Sequence, residues 1–147
     1  WAAFGAHLEK IGAPIRAAGL QFGWHNHDFE FLPLEDGTYP IEAILEDAPS
    51  LVLELDLAWV AVAGGSPVEW IERYKNRIIS AHIKDHAPKG ENLDEGGWAD
   101  VGHGVLDWDE ISTCLRATGI GRFVLEHDNP KDGVRFATRS YEKLITF

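Results

Sequence analysis

The stretch Pro40-Ile41-Glu42-Ala43-Ile44-Leu45-Glu46-Asp47-Ala48-Pro49-Ser50-Leu51-Val52-Leu53-Glu54-Leu55 contains one helix and one strand back to back. Pro40 opens the helix at a position where its missing N–H costs nothing, and Ile41, Ile44 and Leu45 share one face. Pro49 closes it, and Leu51 to Leu55 is an apolar run of strand length. The same alternation runs outward in both directions. Upstream, Phe4, Leu8, Ile11 and Ile15 mark a helix ending near Gly19, which Pro14 is expected to kink or split, and Leu20 to Trp24 reads as a strand. Downstream, Ser66-Pro67-Val68-Glu69 is a capping box opening a helix with Val68, Ile71 and Tyr74 inward, followed by the strand Ile78 to Ile83. A long loop rich in Gly and charge spans about Asp85 to Gly104. Asp107 then caps a helix bearing Ile111 and Leu115, with Gly119 as its stop. The strand Arg122 to Glu126 and a last helix with Val134, Ala137, Tyr141 and Leu144 inward complete the pattern.

The order is one helix and then four βα units, α-(βα)4. Strands alternating with helices imply right-handed crossovers and a parallel sheet, so the fold class is α/β. An open doubly wound sheet and part of a (β/α)8 barrel both fit. No Gly-rich phosphate loop follows any strand, which weakens the nucleotide-binding version. No linker divides residues 1–147, which read as one domain.

Charge narrows the partners. The chain has 147 residues, with 13 Lys+Arg against 24 Asp+Glu and a net charge of -11. That balance opposes binding to nucleic acid or to an anionic membrane. No run of about 18 apolar residues offers a membrane span, and no signal-like stretch opens the chain, so a cytoplasmic protein is expected. The single Cys114 has no internal disulfide partner and is expected to pack. The absence of Met, with Trp1 in first place, suggests a piece of something longer.

The residues able to do chemistry sit at strand ends. His25-Asn26-His27 with Asp28 and Glu30 follows the first strand, Glu54 and Asp56 end the second, and His82, Lys84, Asp85 and His86 end the third. Glu126-His127-Asp128 ends the fourth. In a parallel sheet all carboxyl ends lie on one side, so the four segments meet on one rim. Residues two apart share a face, which puts Gly23, Glu54, Ser80 and Val124 inside with His25, Asp56, His82 and Glu126. Two imidazoles and two carboxylates around one centre suit a divalent ion such as Mn, Co or Zn. Glu54 is expected in a hydrogen-bond network on the floor rather than on the metal. Trp59 offers either a face for a sugar ring or a packing contact, and Trp98 either a lid or loop packing. Trp108 reads as an anchor, and Asp94, Glu95 and Asp100 as a solvated face.

Five motifs together resemble the sugar phosphate isomerase/epimerase family of xylose-isomerase-like TIM barrels. They are Trp24-His25-Asn26-His27-Asp28-Phe29-Glu30-Phe31, Leu53 to Val60, His82-Ile83-Lys84-Asp85, Gly102-His103-Gly104-Val105-Leu106-Asp107-Trp108 and Glu126-His127-Asp128. The resemblance implies the carboxyl-terminal half of the barrel, since a complete one needs about 250 residues. It also implies one divalent metal ion (Mn, Co, Mg or Zn) on Asp56, His82 and Glu126, with the first-strand ligand on or beside His25. Where ketose epimerases of the family carry a glutamate in the first-strand position, this chain has His25. The middle residue of Gly102-His103-Gly104, usually Glu in related sequences, is His103 here.

What the resemblance implies for function is a metal-dependent isomerase or epimerase acting on a ketose, aldose or cyclitol through an enediolate. Glu126, His25 and Glu30 are the expected acid/base residues, and His27, Trp59, Lys84 and His103 the expected substrate contacts. A dehydratase or lyase of the inosose dehydratase or 3-keto-sugar type uses the same site, and the departure at His25 favours it. An inactive half-barrel module is a further alternative. The expected partners are a small carbohydrate and either further copies of the chain or a missing amino-terminal half, because four strands alone leave two open edges.

Overall fold

The computed structural model describes residues 1–147 and has the expected α/β architecture. In chain order it contains α1 (Ala2–Ala17), β1 (Gly23–His25), α2 (Pro40–Asp47), β2 (Val52–Asp56), α3 (Leu57–Val62), α4 (Pro67–Tyr74), β3 (Ile78–Ile83), β4 (Asp85–His86), β5 (Trp98–Ala99), α5 (Trp108–Thr118), β6 (Phe123–Leu125) and α6 (Gly133–Leu144). The order β1-β2-β3-β6 forms one sheet, parallel throughout, while β4 and β5 pair antiparallel on their own. This is the α-(βα)4 half-barrel arrangement with two additions.

The first addition is α3. Leu57-Ala58-Trp59-Val60-Ala61-Val62 is apolar on nearly every side, so it shows no 3.6-residue stripe, and it reads as a connecting loop. Asp56 starts it, accepting a hydrogen bond from the Trp59 N–H at 3.0 Å. The second is the β4–β5 hairpin with a 3-10 turn at Leu93–Glu95, inside what the composition marks as a long loop. Strands of two residues are below what periodicity detects.

Two helices turn other faces inward than their sequences suggest. α1 runs unbroken through Pro14, which lies on the exposed side, where water can satisfy the carbonyl that proline leaves free. Its buried residues are Gly5, Leu8 and Gly12, while Ile11 is exposed. Gly5 lies directly on the Ile44 carbonyl of α2, where no side chain fits, and this close approach sets the face. In α6, Val134 and Tyr141 point outward and Ser140 is buried. The Ser140 hydroxyl accepts from the Val101 N–H at 3.0 Å, so this helix meets the β5–α5 segment through Ser140 and the core only near its end, through the partly buried Leu144.

The core lies between the sheet's outer face and the helices. Leu53, Leu55, Ala81 and Ile83 meet Ile41, Ile44, Leu45, Ile71, Ile111 and Leu115, all buried. Each large aliphatic side chain removed from water contributes roughly 1.5–3 kcal/mol. The opposite face carries Glu54, Ser80 and the strand-end ligand candidates, as side-chain alternation requires.

Candidate metal centre

Register places the donors. His25 is the partner of Glu54 across β1–β2, and Asp56 is the partner of His82 across β2–β3. Glu126 lies one residue beyond β6, with its N–H donating to the Ile83 carbonyl at 3.3 Å. His25, Asp56, His82 and Glu126 each bring one ligand atom into a group whose atoms all lie within 4.8 Å of one another.

Asp56 is fully buried, and its Oδ2, like His25 Nδ1, has no hydrogen-bond partner. Burial pushes the Asp56 carboxyl up from 3.8 to about 6, against the pull of the Trp59 N–H and the Lys84 and His82 charges. His82 Nδ1 is 2.6 Å from Glu126 Oε2, and its Nε2 is 2.9 Å from Glu54 Oε1. Burial opposes a proton on His82, yet the hydrogen bonds to Glu126 and Glu54 outweigh it and raise its pKa. Burial likewise works to raise Glu126, but the His82 hydrogen bond and the Lys84 charge leave it below the ordinary carboxylate range. Burial and the nearby His82 charge both lower the pKa of His25, which favours the neutral imidazole that a metal needs.

These features fit a divalent cation. Two buried donor atoms lack partners, two carboxylates balance the charge, and His82 Nδ1 faces Glu126 and Asp56. Glu54 stands behind the cluster, accepting from the Ser80 hydroxyl at 2.7 Å and holding the far nitrogen of His82. That is the orienting carboxylate–histidine contact typical of metal sites.

The other expected site residues divide into two groups. Lys84 is almost wholly buried, with its ammonium donating to Asp128 Oδ1 at 2.6 Å and 3.7 Å from Glu126 Oε2. It lies over the rings of Trp59 and Trp98 at 4.9 and 4.1 Å. The exposed His27 ring is 5.3 Å from His25 and 5.6 Å from Trp59. Glu30 is close in sequence but turned away from the cluster: its buried carboxylate accepts from Trp24 Nε1 and from the His27 N–H, each at 2.9 Å. His103 is exposed and lines a separate polar cavity of about 370 Å³ with Lys131, Arg135 and Arg139.

That cavity wall corrects the expected solvated face. Glu95 and Asp100 are buried, and Arg135 bonds both, with its Nη2 2.8 Å from Glu95 Oε2 and its Nε 2.9 Å from Asp100 Oδ2. The partner lies in α6, some forty residues away, and local composition carries no trace of it.

Two further residues have roles that the sequence does not announce. Asn26, fully buried, accepts from the Asp56 N–H at 2.8 Å and donates to the Asp56 carbonyl at 3.1 Å. Its side chain extends the β1–β2 ladder by one rung and fixes Asp56 relative to His25. Asp85 accepts from the N–H groups of His86, Gly102, Gly104 and Leu106 and from Trp108 Nε1, at 2.9 to 3.2 Å. A side chain at Gly104 would run into this carboxylate, and Gly102 has φ +81°, which explains both glycines of the Gly-His-Gly motif.

A family model described as xylose isomerase-like TIM barrel matches residues 1–144. No curated protein matches the chain in sequence. Among solved structures, a sugar phosphate isomerase/epimerase from Parabacteroides distasonis is 26% identical, with a TM-score of 0.77 over 97% of this chain and 51% of that one. The probable 3-DHS dehydratase AsbF of Bacillus anthracis, involved in petrobactin synthesis, is 16% identical, with a TM-score of 0.74 over 96% of this chain and 55% of that one. An L-ribulose 3-epimerase is also 16% identical, with a TM-score of 0.72 over 97% and 52%. The chain thus spans about half the length of these structures, and at 16% identity the likeness is one of fold. With its parallel half-barrel sheet and a match running from the first residue to the last helix, the chain belongs to the xylose isomerase-like TIM barrel family.

Proposed function

We propose that the protein is a metal-dependent sugar isomerase or epimerase, holding one divalent ion on His25, Asp56, His82 and Glu126. The observation that carries this reading is the convergence of four donor atoms within 4.8 Å, from four residues of which two, His25 and Asp56, carry a buried polar atom without a partner. An ion held there (Mn, Co, Mg or Zn) supplies Lewis-acid polarisation of a substrate carbonyl oxygen. Glu126 takes the proton from the carbon beside that carbonyl, since its carboxyl is kept ionised by His82 and Lys84. Lys84 steadies the developing negative charge at an adjacent oxygen, with Asp128 and the two tryptophan rings holding its ammonium in place. His27, whose ring lies 5.3 Å from that of His25, delivers a proton to the neighbouring carbon, and Glu30 holds its main chain. Trp59 closes the site beside it. Chelator treatment is expected to abolish isomerisation of a ketose or aldose panel, with Mn or Co restoring it. Turnover that survives complete metal removal overturns the reading.

One observation favours elimination on the same site. Both oxygens of Glu30 are engaged, so it is not free to act as a second carboxylate with Glu126. A carboxylate base working with an imidazole acid suits removal of a proton and departure of a β-hydroxyl as water. An unsaturated product, seen by its ultraviolet absorbance, identifies this dehydratase outcome.

The partner proposed along with the carbohydrate is another βα unit, from a second copy or a preceding half, because β1 and β6 each pair on one side only.

A further inference from the structure

The polar cavity of about 370 Å³ opens between the loops that follow β3 and β6, the last two strands of the sheet. Arg135 and Arg139 line it one helical turn apart on α6, Lys131 precedes them, and His103 comes from the opposite loop. It lies beside the donor cluster on the same rim. Oε2 of Glu95, in the cavity wall, is 3.7 Å from Nε2 of His127, the residue after Glu126.

The two buried acids of the wall are already engaged. Glu95 Oε1 accepts from the Lys131 N–H and from Arg135 Nη2, each at 3.0 Å. Asp100 Oδ1 accepts from Arg135 Nη2 at 3.2 Å, and its Oδ2 from Arg135 Nε at 2.9 Å and Arg139 Nη1 at 3.3 Å. The bases keep donors in hand. A guanidinium donates from Nε, Nη1 and Nη2. Arg135 uses Nε and Nη2 on the acids and has no partner for Nη1, while Arg139, 50% exposed, uses Nη1 alone. The Lys131 ammonium pairs only with the exposed Asp94, and the exposed His103 ring bonds nothing. Glu95 and Asp100 thus fix the Arg135 plane without consuming all its N–H groups, and the cavity is left with more donors than acceptors.

We propose that this cavity is an oxyanion site that takes a phosphate group, either free or carried by a larger ligand. A phosphate brings only acceptor oxygens, which is what a surplus of guanidinium N–H groups calls for, and a guanidinium held in one plane loses little freedom on binding. Loops after the last two strands are also where TIM barrels frequently hold a phosphate. The net charge of -11 repels an anion at long range, but salt screens that repulsion while contact with the N–H groups persists. The site does not depend on a metal at the donor cluster.

Calorimetric titration of inorganic phosphate into metal-free protein, at constant ionic strength and with chloride as the comparison, tests this without any ion to capture the phosphate. One phosphate is expected to bind at millimolar concentration or below, and chloride not at all. Arg139→Gln should weaken phosphate about ten-fold, and Arg139→Glu should abolish its binding. Lys75→Gln, which removes an exposed cation from the end of α4, should leave it unchanged. Arg139 is half exposed and makes a single 3.3 Å contact, so its variants keep the fold, which equal melting temperatures verify. No binding of phosphate at millimolar concentration, equal binding of chloride, or binding that survives Arg139→Glu overturns the proposal. A second titration, of fructose 6-phosphate and fructose into Mn-loaded protein, identifies the source of the group. Fructose 6-phosphate that binds more tightly than both fructose and inorganic phosphate, with the gain lost in Arg139→Gln, makes it the substrate's own. Fructose 6-phosphate that binds no more tightly than inorganic phosphate makes it a separate ligand.

Discussion

Asp56 shows most directly how the site opposes stability. Its carboxyl titrates near 6 in the folded chain against an ordinary value of 3.8, so the folded state binds its proton more tightly than the unfolded state does. The contribution of this group is therefore fully present below pH 3.8 and is lost as pH rises through about 6. Asp56→Asn should raise stability in chelator by about 2–3 kcal/mol at pH 7, and the gain should vanish near pH 4. Urea titrations at both pH values check it, and the variant should show no stabilisation by Mn. Asn26 makes the complementary case. Asn26→Ala leaves Asp56 its ligand atoms but removes both hydrogen bonds that place them, and should weaken Mn binding by about 10- to 100-fold. The ligand candidates were legible because imidazoles and carboxylates recur at strand ends, where period-two alternation turns them to one face. Asn26 was not, since a buried amide and an ordinary turn asparagine are written alike.

Among the elements, the segment between β3 and α5 departs furthest from its sequence. Acidic and glycine-rich, it resembles a solvated loop, yet it folds on two buried hubs, Asp85 and the Glu95–Asp100–Arg135 network. Asp85→Asn turns one acceptor oxygen into a donor facing N–H groups, and is expected to cost about 2–4 kcal/mol. Hydrogen exchange should then quicken at Gly102, Gly104 and Leu106, while the β2 amides keep their protection. The helices with strong caps, α4 and α5, were legible because Ser66 and Asp107 carry their start signals in the side chain itself. In α6 only Leu144 of the expected stripe meets the core, because periodicity reports that an apolar face exists and says nothing of what lies opposite it.

For the molecule as a whole, two outcomes follow from charge and from open edges. A proton on His82 and a proton on Asp56 both compete with a cation. His82 is raised above its ordinary value and Asp56 titrates near 6, so Mn affinity should hold above neutral pH and fall steeply through pH 6 as protons take the donors. Calorimetry at three pH values reads this directly. The sheet edges at β1 and β6, with Val134, Tyr141 and Ile145 exposed along α6, should drive association beyond the 16.3 kDa monomer. Light scattering checks the mass, and Tyr141→Lys should lower it. The parallel order was legible from the βα alternation alone, whereas what covers the edges depends on surfaces outside the pattern of any single helix or strand.

Asp85 has one more consequence, for engineering. Its carboxylate grips His86 where the excursion leaves the sheet and Gly102 and Gly104 where it returns, so one side chain closes the neck of everything between. The segment from Ala87 to Val101 is thus a cassette. A hairpin of another length, joined at the same neck and keeping an anchor for Arg135, the Trp98 ring over Lys84 and the buried Val101, is expected to replace it while the barrel strands and α5 stay where they are.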